Sequence, residues 1–266
     1  YGVYLVVDEY TKTFLKVKNI IQIGMPDWGY HLSGTLAFDK HGKLYVSVGD
    51  GGPQGDLDNQ AQDLDSLRGK ILRFDVSKST PTPEIVAYGL RNPWKISIDS
   101  RNRMFVGDCG WNSVESIYLI DDLYSNTSYN FGWPIFEGTE RRREDPLTVH
   151  DTLAPIYEYR RYDGIGVCVI GGVFLDEQEV YLFGDFSGIL RLLKKQNDGK
   201  WYEIHSQHVA TDIWSFGYNG DKQLLFFSGL LKTFEITIPP DKIDLLPQVT
   251  LCKTTTPNGI INSADC

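Results

Sequence analysis

Nowhere in the 266 residues does an apolar run reach the 18 or so residues that a membrane helix needs. No helical membrane span is therefore expected. Basic clusters are equally scarce. The densest is Arg141-Arg142-Arg143, and Glu144 and Asp145 follow at once. Lys plus Arg number 26 against 35 Asp plus Glu, a net charge of −9. Phosphate binding wants clustered Lys and Arg, so this balance excludes a nucleic-acid partner and an anionic membrane surface. Helical periodicity is missing too: no stretch of about 12 residues carries a 3.6-residue apolar repeat. Methionine is down to 2, and the first residue is Tyr1. The chain reads as processed or excised, with any signal peptide outside it. Cysteine is sparse but even in number: Cys109 and Cys168 lie in the body, and Cys252 and Cys266 bracket the C-terminal tail. Four cysteines allow three pairings into two disulfides. With the glycosylation sequon Asn126-Thr127-Ser128, they point to a secreted or extracytoplasmic glycoprotein.

What is present is β-forming. Aromatics make up 13% of the chain, and there are 26 Gly and 12 Pro. Aromatic residues favour strands, and Gly with Pro marks the turns between them. One short pattern recurs: an aromatic-aliphatic strand, often closed by Gly-Asp. It reads Gly2–Asp8, Gly42–Asp50, Arg103–Asp108 and Glu179–Asp185, with a weaker copy at Lys222–Gly229. Anchored on Tyr4, Tyr45, Phe105, Tyr181 and Leu225, the spacings are 41, 60, 76 and 44 residues. A four-stranded propeller blade takes about 40–45 residues, so two spacings fit a bare blade and two a blade with loops. Further strands are expected at 70–76, 85–88, 95–99, 171–175 and 189–193. The expectation is an all-β chain, a β-propeller of four-stranded blades over 1–240. A less regular tail over 241–266, closed by a disulfide, should follow Pro239-Pro240. The longest loop region, about 121–160, is a candidate for function.

Three polar spots fall where strands end. They are His31-Leu32-Ser33-Gly34, the loop from Gly49 to Asp58, and Gly89-Leu90-Arg91-Asn92-Pro93-Trp94. Singly each reads as a turn. The loop 50–65 also offers Asp50, Asp56, Asp58, Asp63 and Asp65 to calcium, although no spacing matches an EF-hand.

In combination these spots resemble a known family. The ordered set His31-x-x-Gly34, Gly49-Asp50-Gly51-Gly52, Ala61-Gln62, Leu67–Val76, Tyr88-Gly89-Leu90-Arg91-Asn92-Pro93 and Asn130-Phe131-Gly132-Trp133-Pro134 is similar to the glucose/sorbosone dehydrogenases. These are soluble sugar dehydrogenases that use pyrroloquinoline quinone (PQQ). The resemblance covers roughly residues 20–230. It implies a six-bladed propeller, of which five terminal strands are counted here, so about one N-terminal blade lies outside the chain. It implies oxidation of a sugar or alcohol CH–OH by hydride transfer to PQQ. His31 would be the general base, Asp50 its orienting carboxylate, and Arg91 the electrostatic partner of the quinone oxygen. Arg91, Asn92 and Trp94 would line the cofactor, with Trp94 standing where the family usually has Gln. Calcium would be held by Asp108, Gly110 and Glu115. The segment from Gly107 to Glu115 is closer to the hedgehog-interacting-protein-like branch. No Arg follows Arg191 to grip the quinone carboxylates; Lys222 and Lys232 remain. The alternative is therefore a non-catalytic propeller that binds a protein or glycan through the loops 50–65 or 121–160.

Overall fold

The computed structural model describes residues 2–27, 29–143, 149, 151–161, 166–209, 211–218, 224–228, 232–237, 250–256 and 259–261. It contains no helix among these residues, and none long and apolar enough to cross a membrane. A hairpin opens the fold, β1 (Val3–Tyr10) and β2 (Lys16–Met25). The next sheet holds β3 (Ser33–Phe38), β4 (Leu44–Val48), β5 (Lys70–Phe74) and β6 (Glu84–Tyr88) in consecutive antiparallel order. Then come β7 (Pro93–Ile98), β8 (Met104–Asp108) and β9 (Val114–Ile120). A long excursion follows, carrying the short strands β10 (Tyr129–Asn130), β11 (Phe136–Glu137) and β12 (Glu140–Arg141). The sheet of β7–β9 is completed by β13 (Tyr157–Arg160). The fourth sheet is β14 (Val169–Leu175), β15 (Val180–Asp185), β16 (Ile189–Lys195) and β17 (Trp201–His208). The last is β18 (Ser215–Tyr218), β19 (Leu224–Ser228), β20 (Lys232–Thr237), β21 (Thr250–Thr256) and β22 (Gly259–Ile261). This is a β-propeller. The first strands β3, β7, β14 and β18 pack one against the next and form its inner wall.

The strand period explains the blade packing. Successive side chains point to opposite faces, so a strand sandwiched between two sheets must be apolar on both. On β15, Val180 and Leu182 join the core shared with the last sheet. Tyr181 and Phe183 join the core shared with the β7–β9 sheet. On β8, Met104 and Val106 face back while Phe105 faces forward. Every residue of β4, β8, β9 and β15 is buried. Burying each such large side chain is worth about 1.5–3 kcal/mol.

The strands expected at 70–76, 85–88, 95–99, 171–175 and 189–193 are all present as β5, β6, β7, β14 and β16. The first repeat anchor is corrected. Tyr45, Phe105 and Tyr181 sit on second strands and are fully buried, but Tyr4 is 53% exposed. β1 and β2 lead into β3 as β5 and β6 lead into β7, so β1 holds a third-strand place. An aromatic-aliphatic alternation looks the same in both places. The described parts of the tail, β21 and β22, extend the last sheet beside β20. Cys266 lies outside the described residues, and a tail disulfide is not addressed by them. The pairing left open by counting is formed in the body: Cys109 bonds to Cys168 across 59 residues.

Candidate functional site

Sheet register assembles the site. Ser33 on β3 pairs with Val48 on β4. Continuing that register by two residues beyond the ladder brings His31 opposite Asp50. Pro93 on β7 pairs with Asp108 on β8, and the same continuation brings Arg91 opposite Gly110. The backbone N–H of Asp50 donates to the Arg91 carbonyl at 2.8 Å, which ties the two corners together. Gly49 is required between them: a Cβ there would lie 1.8 Å from the His31 carbonyl oxygen. His31 itself takes a left-handed backbone conformation, φ 49°. A non-glycine residue held there is strained, and such strain clusters at functional sites.

The result is a buried chain of three side chains. His31 Nδ1 lies 2.6 Å from Asp50 Oδ1, and His31 Nε2 lies 2.7 Å from Arg91 Nη2. A guanidinium only donates, so Nε2 must accept and the ring proton sits on Nδ1, donating to Asp50. The contact therefore fits a neutral imidazole whose lone pair is capped by Arg91. Asp50 is fully buried. Its Oδ1 also accepts the Gly52 N–H at 2.7 Å, and its Oδ2 accepts the Trp133 indole N–H at 2.9 Å. Arg91 is tethered by Nη1 to the carbonyls of Cys109 and Gly110, at 2.9 and 2.7 Å. Its Nη2 also donates to Gln54 Oε1, and its buried Nε has no hydrogen-bond partner. Burial lowers the pKa of Arg91, against the raising pull of Asp50, Asp108 and Glu115.

His31, Ser33, Asn92, Trp94 and Trp214 line a cavity of about 440 Å³ at this mouth of the channel. Asn92 Oδ1 accepts from Ser33 Oγ at 2.8 Å. Trp94 leans edge-on against Trp214 and donates its indole N–H to the Trp214 carbonyl. A flat, partly aromatic ring matches this wall of indole, amide and imidazole, so His31, Asn92 and Trp94 fit the ring of PQQ. A second groove of about 480 Å³ runs along β1 and the start of β3. It is lined mainly by apolar side chains, and its carboxylate, Asp8, pairs with Lys16. It holds no comparable chemistry.

The residues expected for calcium are brought together, and most of their oxygens already accept hydrogen bonds; the buried Glu115 Oε1 accepts none and has only an ion pair. Asp108 accepts the backbone N–H groups of Arg91 and Asn92. The Gly110 carbonyl takes the guanidinium of Arg91 and also that of Arg161, at 3.0 Å. Glu115 accepts the N–H groups of Gly110 and Val169 on Oε2 and faces Arg161 Nε at 3.2 Å on Oε1. Burial raises Asp108 to about 7 and Glu115 to about 8. Calcium wants six to eight free, largely charged oxygens. Two guanidinium ions beside carboxyls that resist ionisation do not offer that, so this set does not fit calcium. The 50–65 loop is likewise organised from within. The buried Lys70 ammonium donates to the carbonyls of Gln60, Ala61 and Arg68 at 2.6–3.0 Å, and burial pushes its pKa down to about 8. Asp56 accepts the N–H groups of Gln60 and Ala61. Gln54, Trp133, Arg161 and Trp214 were not expected from the sequence. Gln54 lay in the Gly49–Asp58 loop and Trp133 in the Asn130–Pro134 motif, both already singled out, whereas Arg161 and Trp214 lay in neither.

Stacked four-stranded blades with a buried imidazole–carboxylate–guanidinium chain at one channel mouth define the class, a β-propeller. The chain belongs to the Glucose / Sorbosone dehydrogenase family, whose profile matches residues 5–170. It is 33% identical over 199 residues to the HIPL1 protein of Arabidopsis thaliana, covering 60% of this chain and 28% of that protein. It is 28% identical over 119 residues to the aldose sugar dehydrogenase YliI of Escherichia coli, covering 40% and 30%. The matches thus span less than a third of these relatives. Among solved structures, a glucose dehydrogenase superposes with TM-score 0.69 at 20% identity, covering 90% of this chain and 74% of that one. The PQQ-bound aldose sugar dehydrogenase of Streptomyces coelicolor superposes with TM-score 0.60 at 18% identity, covering 92% and 68%.

Proposed function

We propose that this chain carries the acid–base half of a sugar or alcohol dehydrogenase site. The observation that carries the reading is the buried His31–Asp50 pair at the wall of the 440 Å³ cavity. When bound, PQQ supplies a two-electron acceptor for the hydride that leaves the substrate CH–OH carbon. His31, Asn92 and Trp94 would hold its ring. The substrate hydroxyl takes the place of Arg91 Nη2 on His31 Nε2, and its proton passes to that nitrogen as the carbon becomes a carbonyl. Asp50 keeps the imidazole in the tautomer that can accept it and stabilises the imidazolium that forms. Arg91 stays tethered through Nη1 and leaves Nη2 to face the developing charge. The relatives named as sugar dehydrogenases support an aldose or similar substrate. The Cys109–Cys168 disulfide supports an oxidising, extracytoplasmic setting.

Two observations favour the second reading, a binding module that acts on a protein or glycan. Arg91 caps the very lone pair that catalysis needs, and guanidinium groups fill the expected calcium segment. The deciding experiment is calorimetric titration with PQQ, with calcium and then with chelator, followed by dye-linked oxidation of a panel of aldoses. Binding at micromolar or tighter, with aldose-dependent dye reduction that disappears in His31→Gln, is expected. A folded protein that gives no heat and no turnover removes the dehydrogenase reading and leaves the loops as the place to seek a partner.

A further inference from the structure

The long excursion between β9 and β13 folds back over the preceding blade. Tyr129 and Asn130 of β10 add to β6 as a parallel strand. Asn130 and Gln62 exchange both side-chain amide hydrogen bonds, at 3.0 and 3.1 Å. Gln62 Nε2 also donates to the Trp133 carbonyl at 2.7 Å, and the Trp133 N–H donates to the Gly89 carbonyl at 3.0 Å. Trp133 is 3% exposed and stands edge-on to Trp111. Its indole N–H reaches Asp50 Oδ2 at 2.9 Å, and the Arg91 guanidinium lies 5.7 Å over its ring. One side chain thus touches both partners of His31.

We infer that Trp133 is a positioning residue that sets the proton affinity of His31 through Asp50. The inference rests on His31 being the base of the proposed reaction. The indole N–H draws off part of the Asp50 negative charge on the oxygen that His31 does not use. A carboxylate so engaged is a weaker counter-charge for an imidazolium, so Nε2 stays unprotonated and ready to accept a proton. The ring face holds Arg91 near Nε2 by a cation–π contact, which disfavours protonation in the same direction. The charged groups facing the imidazole are Asp50 from the end of β4 and Arg91 from the β6–β7 connection. Asp108 lies behind Arg91, and Gln54 and Asn92 face the site as neutral amides. The long excursion therefore serves the acid–base pair from behind.

The test is a histidine titration by NMR on the intact protein, without cofactor or substrate. Trp133→Phe keeps the ring but removes the N–H. The His31 midpoint should rise by about one pH unit, the size of one charge-assisted hydrogen bond. A merely structural role would loosen the pair and leave the midpoint unchanged or lower it, and either result overturns the inference. Should Trp133→Phe fail to fold, the wild-type indole resonance decides. The Trp133 N–H shift should move with the His31 midpoint, and an indole that ignores that titration overturns the proposal. Neither readout needs turnover. Absence of quinone binding with an intact His31 response sinks the dehydrogenase reading alone, and turnover without that response sinks the role of Trp133 alone.

Discussion

Two buried carboxyls stand on either side of Arg91, and the chain treats them differently. Asp50 receives an imidazole, a group that can take up and release a proton near neutrality. Glu115 receives the guanidinium of Arg161, which cannot. Asp50 lies beside a cavity and is held by three N–H donors, among them the imidazole. Glu115 lies beside a disulfide, with Cys109 and Cys168 close to its carboxylate, and burial alone dominates its chemistry. The first arrangement can do work on a ligand. The second fixes the chain that presents Arg91, through the carbonyls of Cys109 and Gly110. Residue types alone would have ranked the two clusters equally.

The contrast breaks most visibly at His31. His31→Ala should lower PQQ-dependent turnover by about 10²–10⁴-fold, the usual size of a lost general base. Its thermal melt should stay close to wild type, and a collapse in the melt would make His31 structural. On the other side the order reverses. Removing the disulfide in Cys109→Ala/Cys168→Ala should lower unfolding free energy by about 2–4 kcal/mol in denaturant titrations, since the bond closes a long loop. Quinone affinity should weaken only through the looser Arg91. Arg161→Met should cost less, about 1–3 kcal/mol. Glu115 readily keeps its proton, so the loss of its partner does not strand a full charge. Glu115→Gln in the same background should recover part of that loss, and no recovery would show that the pair is not coupled.

A pH dependence sharpens the comparison further. Asp108 and Glu115 have folded pKa values raised to about 7 and about 8, above their ordinary carboxyl range. Their contribution is fully present below about pH 4 and is lost as pH rises through 7 to 8. Lys70 is pushed down to about 8, so the unfolded chain binds more protons above that pH and stability rises again towards pH 10. Unfolding midpoints should therefore dip near pH 8. Glu115→Gln should shallow the acid side of the dip and Lys70→Met the alkaline side. A flat profile in wild type would contradict both assignments.

The sequence carried the blades and the clustering of His31, Asp50 and Arg91 for a simple reason. Strand alternation is local, and His31, Asp50 and Arg91 each sit next to a strand end, so register brings them together. The Tyr4 anchor misled because a half-exposed third strand and a buried second strand share one alternation, and exposure is a property of neighbours. Trp133 was visible inside Asn130–Pro134, but its role was not: its partner Asp50 is 83 residues away. Nothing in the spacing said that the excursion returns to the previous blade. Arg161 was equally silent, because its carbonyl partners at 110 and 111 carry no residue signature.

Open repeat arrays behave as stacked units, each stabilised by its neighbours and able to open in turn. The parallel pairing of β10 with β6 alters that here. A strand that belongs in sequence to one blade is part of the hydrogen-bonded sheet of the one before. Opening the β7–β9 blade must strip β6 of its outer partner, and opening the β3–β6 blade must release the excursion. The two blades should exchange their amide hydrogens as one cooperative unit, and the His31–Asp50 pair lies in that unit. The site is thereby shielded from the piecemeal fraying that a repeat architecture otherwise permits.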